Sequence, residues 1–225
     1  MQCASLLDKI SQTKYTVFTQ IIHNVFCFSS DYSHITYTLP HIKEDDMENV
    51  FNVFKDDTRK EFNWDSLGDI KHGRGDLGVE MPVIVYRLMQ FTLLDALSSE
   101  LGLTKANDFF RNAGYMAGTQ FAKNVLTLDM DFDSFVSHLQ ESLKMLKIGI
   151  LRMEAFNPED GSIVLTVAED LDCSGLPITN ENVCVYDEGF ISGILESYTG
   201  KKYDVRETDC WASGDRVCRF NAVPA

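Results

Sequence analysis

The chain lacks a long apolar run and a targeting signal. None of its segments reaches the roughly 18 consecutive apolar residues that are needed to span a bilayer. The nearest candidate, residues 17–28, is interrupted by Gln20, His23 and Asn24. No basic run and no small-residue cleavage site flanks this segment, so it does not have the pattern of a signal peptide. We therefore expect a cytoplasmic protein.

Basic residues are also scarce, since 20 Lys and Arg stand against 34 Asp and Glu and give a formal net charge of -14. Nucleic acids and anionic membranes are bound by basic faces that neutralise phosphate. The acidic balance therefore argues against both partners, and its simplest role is solubility. A length of 225 residues fits one large domain, or one domain with an extension.

Common catalytic motifs are missing from the sequence. The five histidines form no motif with a cysteine or a carboxylate, and no glycine-rich nucleotide fingerprint follows a predicted strand. Asp187 and Glu188 open a predicted helix, where acidic residues complement the helix dipole without any catalytic role. We name no catalytic residue, and the sequence favours a non-enzymatic role without deciding the matter.

The first 64 residues are the least informative part of the chain. Residues 43–57 are acidic and predict an amphipathic helix. The apolar residues at helical spacing there are Met47, Val50, Phe51 and Phe54. This helix either caps the main domain or forms an accessory arm or partner-binding segment. We predict a helical extension of unknown role over residues 1–64 and a ligand-binding domain over residues 65–225.

The remaining chain shows helical patterns that are followed by strand patterns. The predicted helices cover residues 83–101, 104–126, 132–147 and 183–198, and the predicted strands cover residues 148–156, 162–168, 203–210 and 216–222. Residues 157–161, Asn-Pro-Glu-Asp-Gly, predict a hairpin. Gly114 and Gly118 share one helix face, which predicts close approach of another helix or of a ligand. This order of elements predicts an α+β fold with an antiparallel sheet.

Four of the six cysteines crowd into the last quarter of the sequence. A reducing compartment disfavours disulfides and favours metal-bound or free thiols. Cys210 and Cys218 lie on either side of a tight turn, where paired strands are only about 4.8 Å apart and both thiols can face one ion. Glu207, from the same strand as Cys210, and Cys184, from the preceding helix, would complete a tetrahedral site. Such a closed site suits a structural zinc ion.

The spacing alone leaves alternatives open for this metal site. Cys173 is a rival to Cys184, and Asp209 is a rival to Glu207. No Cys-x-x-Cys motif is present. The simpler interpretation is a set of buried free cysteines, which pack well as small apolar side chains.

Several segments carry a family resemblance. They are residues 173–177 (Cys-Ser-Gly-Leu-Pro), 183–193 (Val-Cys-Val-Tyr-Asp-Glu-Gly-Phe-Ile-Ser-Gly), 207–210 (Glu-Thr-Asp-Cys) and 214–220 (Gly-Asp-Arg-Val-Cys-Arg-Phe). Together they closely resemble the 4-vinyl reductase domain, also called the hydrocarbon-binding domain. The run 74–122, with Tyr-Arg-Leu-Met at 86–89 and Ala-Gly-Tyr-Met-Ala-Gly at 113–118, is similar to the helical part of stand-alone members.

The resemblance implies a fold and a metal site. The fold is similar to that of a Golgi tethering-complex subunit and of the haem nitric-oxide sensor domain, and such units usually form homodimers. Phenol- and toluene-sensing transcription activators with this domain bind zinc through three cysteines and one glutamate. The matching positions here are Cys184, Glu207, Cys210 and Cys218.

The resemblance also implies a small hydrophobic or aromatic ligand between helices and sheet. The residues that we expect around it are Tyr86, Met89, Tyr115, Phe190 and Trp211. The first hypothesis is a ligand-binding or sensing module with a structural zinc ion. The alternative is a tetrapyrrole-related enzyme or accessory protein of the vinyl reductase type. A third hypothesis is a scaffold that dimerises without binding a small molecule.

Overall fold

The structure is a computed structural model that describes residues 61–225. Its helices are α1 (Ile70–Gly73), α2 (Val83–Leu101), α3 (Leu103–Val125), α4 (Phe132–Met145) and α5 (Val185–Thr199). Its strands are β1 (Ile150–Phe156), β2 (Ile163–Ala168), β3 (Tyr203–Asp209) and β4 (Cys218–Pro224), and short 3-10 helices cover Trp64–Leu67 and Trp211–Ser213. The helix predicted over residues 43–57 lies outside the described residues, and the domain boundary at residue 64 stays a prediction.

The four strands form one antiparallel sheet in the order β1-β2-β4-β3. The predicted hairpin joins β1 to β2, and the amide of Asn157 donates to the carbonyl of Ser162 (2.9 Å). Gly161 ends the turn with a φ of 76°, a left-handed conformation that favours glycine. Helix α5 lies in the chain between β2 and β3. The predicted α+β class with an antiparallel sheet is confirmed.

Helices α3 and α5 pack backbone against backbone. Gly114 and Gly118 of α3 face α5, and Gly189 and Gly193 of α5 face α3. A Cβ atom at Gly189 would lie 2.7 Å from the amide nitrogen of Tyr115, which is closer than packed atoms tolerate. The predicted close approach at Gly114 and Gly118 is thus present, and its partner is a helix.

The core lies between the sheet and helices α4 and α5. Phe135 of α4 is buried, and its ring stacks on that of Tyr198 in α5 with 3.8 Å between centroids. Helix α4 buries Phe135, Leu139 and Leu143, which lie four residues apart on one face. Asp131 begins this helix by accepting the amide hydrogen of Ser134 (3.1 Å), as predicted from its capping position.

Helix α2 has a different environment. It begins after Pro82 and ends before Gly102, as the sequence predicts. Its only buried residue is Gln90, whereas Leu88 and Met89 are 58% and 63% exposed. Within residues 61–225, no helix is both long enough and apolar enough to cross a membrane.

Candidate metal centre and apolar cavity

Four thiols from four segments meet at one end of the sheet. Cys173 follows β2, Cys184 is the residue before α5, Cys210 follows β3, and Cys218 begins β4. All four are buried and none forms a disulfide. Their sulfur atoms lie within 4.8 Å of one another. The structure therefore places Cys173 beside the three predicted cysteine ligands.

The turn between β3 and β4 fixes two of these thiols. Ser213 accepts the amide hydrogen of Cys210 at its hydroxyl (3.0 Å) and donates that hydroxyl to the carbonyl of Cys210 (2.8 Å). Gly214 has a φ of 108°, which a side chain would strain. The chain then reverses and brings Cys218 back beside Cys210, as the hairpin pattern predicts.

The sulfur distances fit a metal ion for three of the cysteines. The sulfur of Cys184 lies 3.8 Å from that of Cys210 and 3.7 Å from that of Cys218. A tetrahedral zinc ion with Zn–S bonds of about 2.3 Å separates its sulfur ligands by roughly 3.8 Å. The sulfur of Cys173 lies only 3.1 Å from that of Cys218. These two atoms must move apart if both bind one ion.

Glu207 reaches the same cluster from β3. One carboxylate oxygen, Oε2, accepts the amide hydrogen of Cys184 (3.0 Å), and the other, Oε1, is buried without a hydrogen-bond partner. Burial raises the pKa of Glu207 to about 8. An unpartnered buried carboxylate oxygen beside thiols is a donor atom that a cation would satisfy.

Asp209, the rival to Glu207, is engaged elsewhere. Its Oδ2 accepts a hydrogen bond from Nε of Arg219 across the β3–β4 pair (2.8 Å). Of the two carboxylates, Glu207 is therefore the one that adjoins the thiols.

The thiols influence one another's ionisation. Hydrogen bonds from the neighbouring thiols, that of Cys173 first, lower the pKa of Cys210. The same contacts raise the pKa of Cys184 and of Cys218, because their protons are shared with a neighbouring sulfur. Thiolates are the form of cysteine that binds metal ions. Four buried thiols and one carboxylate thus form a donor set that fits one thiophilic metal ion.

A small apolar cavity of about 40 Å³ lies close to the thiols, between α4, α5 and the strands β1 and β2. Its lining residues are Phe132, Phe135, Val136, Leu139, Leu143, Ile148, Gly149, Leu151, Met153, Leu165, Val167, Asp170, Asp187, Phe190, Ile191, Ile194 and Leu195. Asp170 and Asp187 are the only ionisable members of this set.

The two aspartates connect the cavity to the metal centre. A carboxylate oxygen of each lies within 4.8 Å of the other and of the sulfur of Cys184. Asp170 accepts the amide hydrogens of Asp172 (2.8 Å) and Cys173 (3.2 Å) at Oδ1. Burial raises the pKa of both Asp170 and Asp187.

Helix α2 is attached to this region by polar contacts. Tyr86 donates its hydroxyl to Oδ1 of Asp172 (2.8 Å), and Gln90 donates Nε2 to Oδ2 of the same residue (2.7 Å). Arg87 donates to the carbonyls of Leu171 (2.8 Å) and Ser174 (2.9 Å). Burial and the nearby charge of Asp170 raise the pKa of Asp172 to about 7.

The five predicted ligand residues are not brought together. Phe190 lines the cavity. Tyr86 binds Asp172, Tyr115 donates its hydroxyl to Glu196 (2.8 Å), and Trp211 donates its indole N–H to the carbonyl of Leu176 (3.0 Å). Met89 is exposed on α2. The aromatic residues outside the cavity use their polar groups to join secondary-structure elements.

The cavity lining that the sequence interpretation missed comes mainly from α4 and the first hairpin. The spacing of Phe135, Leu139 and Leu143 marks an apolar face of α4, which is the available signal. Nothing in the sequence pairs this face with Phe190, because the two lie on helices separated by a hairpin.

Residues 163–224 match the family model of the 4-vinyl reductase domain. The matched residues run from β2 to the end of β4 and contain all four thiols. This part of the chain is therefore a 4-vinyl reductase domain, as the motif resemblance indicated.

Known relatives extend the match toward the N-terminus. An uncharacterized protein of Methanocaldococcus jannaschii is 28% identical over 145 residues, which cover 64% of this chain and 79% of the relative. The crystal structure of a vinyl-4-reductase family protein from the same organism is 16% identical, with a TM-score of 0.46 over 66% of this chain and 85% of that chain.

A solved sensor domain has a similar fold. The phenol-responsive sensory domain of the transcription activator PoxR, solved with phenol, matches 81% of this chain and 92% of its own length with a TM-score of 0.52 and 14% identity. A trafficking protein particle complex subunit 3 from Naegleria fowleri covers 64% of this chain and 97% of its own at 14% identity and a TM-score of 0.48. An H-NOX protein from S. oneidensis covers 60% and 74% at 13% identity and a TM-score of 0.42.

Proposed function

We propose that this chain is a small-molecule binding or sensing module that holds a structural zinc ion and takes a hydrophobic or aromatic ligand. The observation that carries the proposal is the adjacency of an apolar cavity to a buried cluster of four thiols. Asp170 and Asp187 belong to the cavity wall and adjoin the sulfur of Cys184. An ion at the thiols would therefore brace one end of the ligand site.

The zinc ligands in this proposal are Cys184, Glu207, Cys210 and Cys218. The sulfur distances around Cys184 and the unpartnered Oε1 of Glu207 support this set. Cys173 is the competitor for the fourth position, now against Glu207 instead of Cys184. Zinc in a closed site of this kind stabilises the fold and supplies no open coordination position. It would hold the start of α5 against the ends of β3 and β4.

The ligand would occupy the cavity between α4, α5 and the sheet. A dry cavity that binds benzene measures about 150 Å³, whereas this one measures about 40 Å³. An aromatic ligand must therefore displace wall side chains, and the flexible Met153 suits such a movement. The similar fold of the phenol-responsive PoxR domain supports a ligand of this class.

Homodimerisation is part of the proposal, and helix α2 supplies its support. Ile84, Leu88 and Met89 expose apolar side chains along this helix. Exposed apolar patches of this kind mark protein–protein interfaces. A two-fold contact between two copies of α2 would bury the same residues on both chains. A cytoplasmic location fits the proposal, since reducing conditions keep the four thiols free for a metal ion.

The alternative, a tetrapyrrole-related enzyme or accessory protein, receives no support from the described residues. A tetrapyrrole is far larger than a benzene ring, and the cavity is too small even for benzene without movement of its walls. A change in porphyrin absorption on addition of the chain would favour this alternative.

Calorimetric titration of the zinc-loaded full chain with phenol and with toluene tests the ligand part of the proposal. We expect saturable binding of one molecule per chain. Val136→Phe would fill the cavity from α4 and weaken binding at least about tenfold, because an inserted ring occupies the ligand space. Val223→Phe, at an exposed position on β4, is the matched control and should bind as the unchanged chain does. Absence of binding by any aromatic compound would contradict the proposal.

A further inference from the structure

The cavity has one polar end, and its polar atoms are incompletely satisfied. Asp187 lines the cavity from α5, and its Oδ2 is buried without a hydrogen-bond partner. Asp170 lines the cavity from the loop after β2, and it is only 4% exposed. The rest of the lining consists of apolar side chains and one glycine. A hydrophobic ligand alone would leave the Oδ2 atom of Asp187 unpaired.

No positive charge of the described residues compensates these two carboxylates. The ion pairs of residues 61–225 involve other carboxylates, namely those of Glu80, Asp108, Glu188, Asp204 and Asp209. Arg87, which lies near Asp172, donates to backbone carbonyls instead.

The other ionisable neighbours of Asp187 are acidic as well. They are Asp172, Cys173 and Glu207, whose negative charges oppose ionisation of Asp187. Two carboxyl groups this close, in apolar surroundings, repel each other when both are ionised. A cation placed between them would relieve both the repulsion and the unpaired oxygen.

We propose that the ligand of this cavity is a small hydrophobic amine, whose ammonium group binds Asp170 and Asp187 while its apolar part fills the space between α4, α5 and the sheet. This inference rests on the proposed function, since it specifies the ligand class of the same cavity. It adds a requirement for a positively charged donor, which a hydrophobic site alone does not impose.

An ammonium group suits this end better than a neutral hydroxyl does. An ammonium group carries three donors and a charge, so it can bind both aspartates at once. A hydroxyl carries one donor and leaves the repulsion between the two carboxylates in place. The order of affinity should therefore follow ligand charge ahead of ligand hydrophobicity.

Three compounds of the same size separate these contributions. Benzylamine, benzyl alcohol and ethylbenzene share a phenyl ring and a two-atom side chain, which ends in an ammonium, a hydroxyl or a methyl group. Calorimetric titration of the zinc-loaded full chain should give benzylamine a Kd at least about tenfold below that of ethylbenzene, since a charged hydrogen bond contributes roughly 1.5–3 kcal/mol. Benzyl alcohol should lie between the two.

Substitutions locate the recognised group. Asp187→Asn should weaken benzylamine at least about tenfold and change ethylbenzene less than about threefold, because only the charge is removed. Asp170→Asn should act in the same direction and serves as the second variant if Asp187→Asn does not fold. Ile191→Val, an apolar change on the same wall, is the matched control and should affect all three compounds alike.

The outcomes distinguish the two proposals. If ethylbenzene binds as tightly as benzylamine, the ligand-binding function stands and the amine inference is overturned. If none of the three compounds binds, both fail together. If both aspartate variants keep the full preference for benzylamine, the ammonium group is recognised elsewhere and the inference is wrong. A second metal ion per chain that is lost in Asp187→Asn would also overturn it, because the carboxylates would then serve the metal.

Discussion

Helices α2 and α5 show two ways of fixing a helix in the same fold. Helix α5 buries Gly189 and Gly193 against the backbone of α3, and Ile194 and Leu195 in the core. Helix α2 buries only Gln90 and is attached through hydrogen bonds to the loop after β2. Backbone contact makes α5 intolerant of change. The exposed apolar residues of α2 remain available for a partner.

The largest expected effect follows from breaking the contact of α5. In Gly189→Ala, a methyl group would overlap the carbonyl of Arg111 and the amide of Tyr115. These are backbone atoms that cannot rotate away, so we expect a loss of more than roughly 4 kcal/mol in the free energy of unfolding. Urea denaturation monitored by circular dichroism measures this loss.

Gly73→Ala is the control for that substitution. A Cβ atom at Gly73 meets nothing within 4 Å, so its effect should stay within about 0.5 kcal/mol. A Gly189→Ala protein as stable as the Gly73→Ala protein would show that α3 and α5 do not pack as described.

The metal centre beside α5 gives the second effect. Cys210→Ser should lower the metal content and destabilise the fold by roughly 3 kcal/mol or more, because it opens a closed structural site. Metal analysis and thermal denaturation of the same preparation measure both quantities. Ser213→Ala removes a hydroxyl from the same turn without removing a thiol, and it should keep the metal. A metal-replete, fully stable Cys210→Ser protein would refute the role of this thiol.

A pH effect follows at the contact between α2 and the loop after β2. Burial raises the pKa of Asp172 to about 7, above its usual value of 3.8. The folded chain therefore holds a proton that the unfolded chain releases, and this contribution to stability is present below about pH 4 and is lost as the pH rises through 7.

Denaturation at several pH values measures that contribution. Asp172→Asn should flatten the fall in the free energy of unfolding between pH 4 and pH 7. Asp76→Asn, at an exposed position, should leave the profile unchanged. An unchanged profile in Asp172→Asn would contradict the assignment of this titration to Asp172.

The smallest effect on the fold is expected on the apolar face of α2. Leu88→Glu should change the free energy of unfolding of the monomer by less than about 1 kcal/mol, since this side chain is 58% exposed. It should nevertheless raise the dimer dissociation constant at least about tenfold, because two-fold symmetry places the new charge twice in one interface.

Analytical ultracentrifugation tests this expectation. Met145→Glu, at an exposed position on α4, should not alter the mass of the assembly. A protein that is monomeric without any substitution would exclude the dimer of the proposal.

The sequence predicts local features of this molecule well. Pro82 and Gly102 bound helix α2, residues 157–161 form the hairpin turn, and Gly114 and Gly118 face a neighbouring helix. The cluster of Cys184, Cys210 and Cys218 is also predictable, because a tight turn brings two of the thiols together. These features depend on short-range geometry that the residue types determine.

Features that need distant segments are not predictable in the same way. The cavity forms where α4, α5 and the first hairpin meet, so no single segment reveals it. Asp187 at a helix start is explained by the helix dipole alone, and its position in the cavity emerges only when α5 packs on the sheet. Tyr115 and Trp211 are aromatic but serve as hydrogen-bonding links, since their polar groups have partners across the fold.

The most direct test of the central claim is elemental analysis of the full chain, purified without chelators or a histidine tag, together with its Glu207→Gln and Cys173→Ser variants. The account predicts about one zinc ion per unchanged chain, loss of zinc in Glu207→Gln, and retention in Cys173→Ser. Loss in Cys173→Ser alone would replace the carboxylate ligand with a fourth thiolate. A chain that contains no metal and four free thiols would contradict the account.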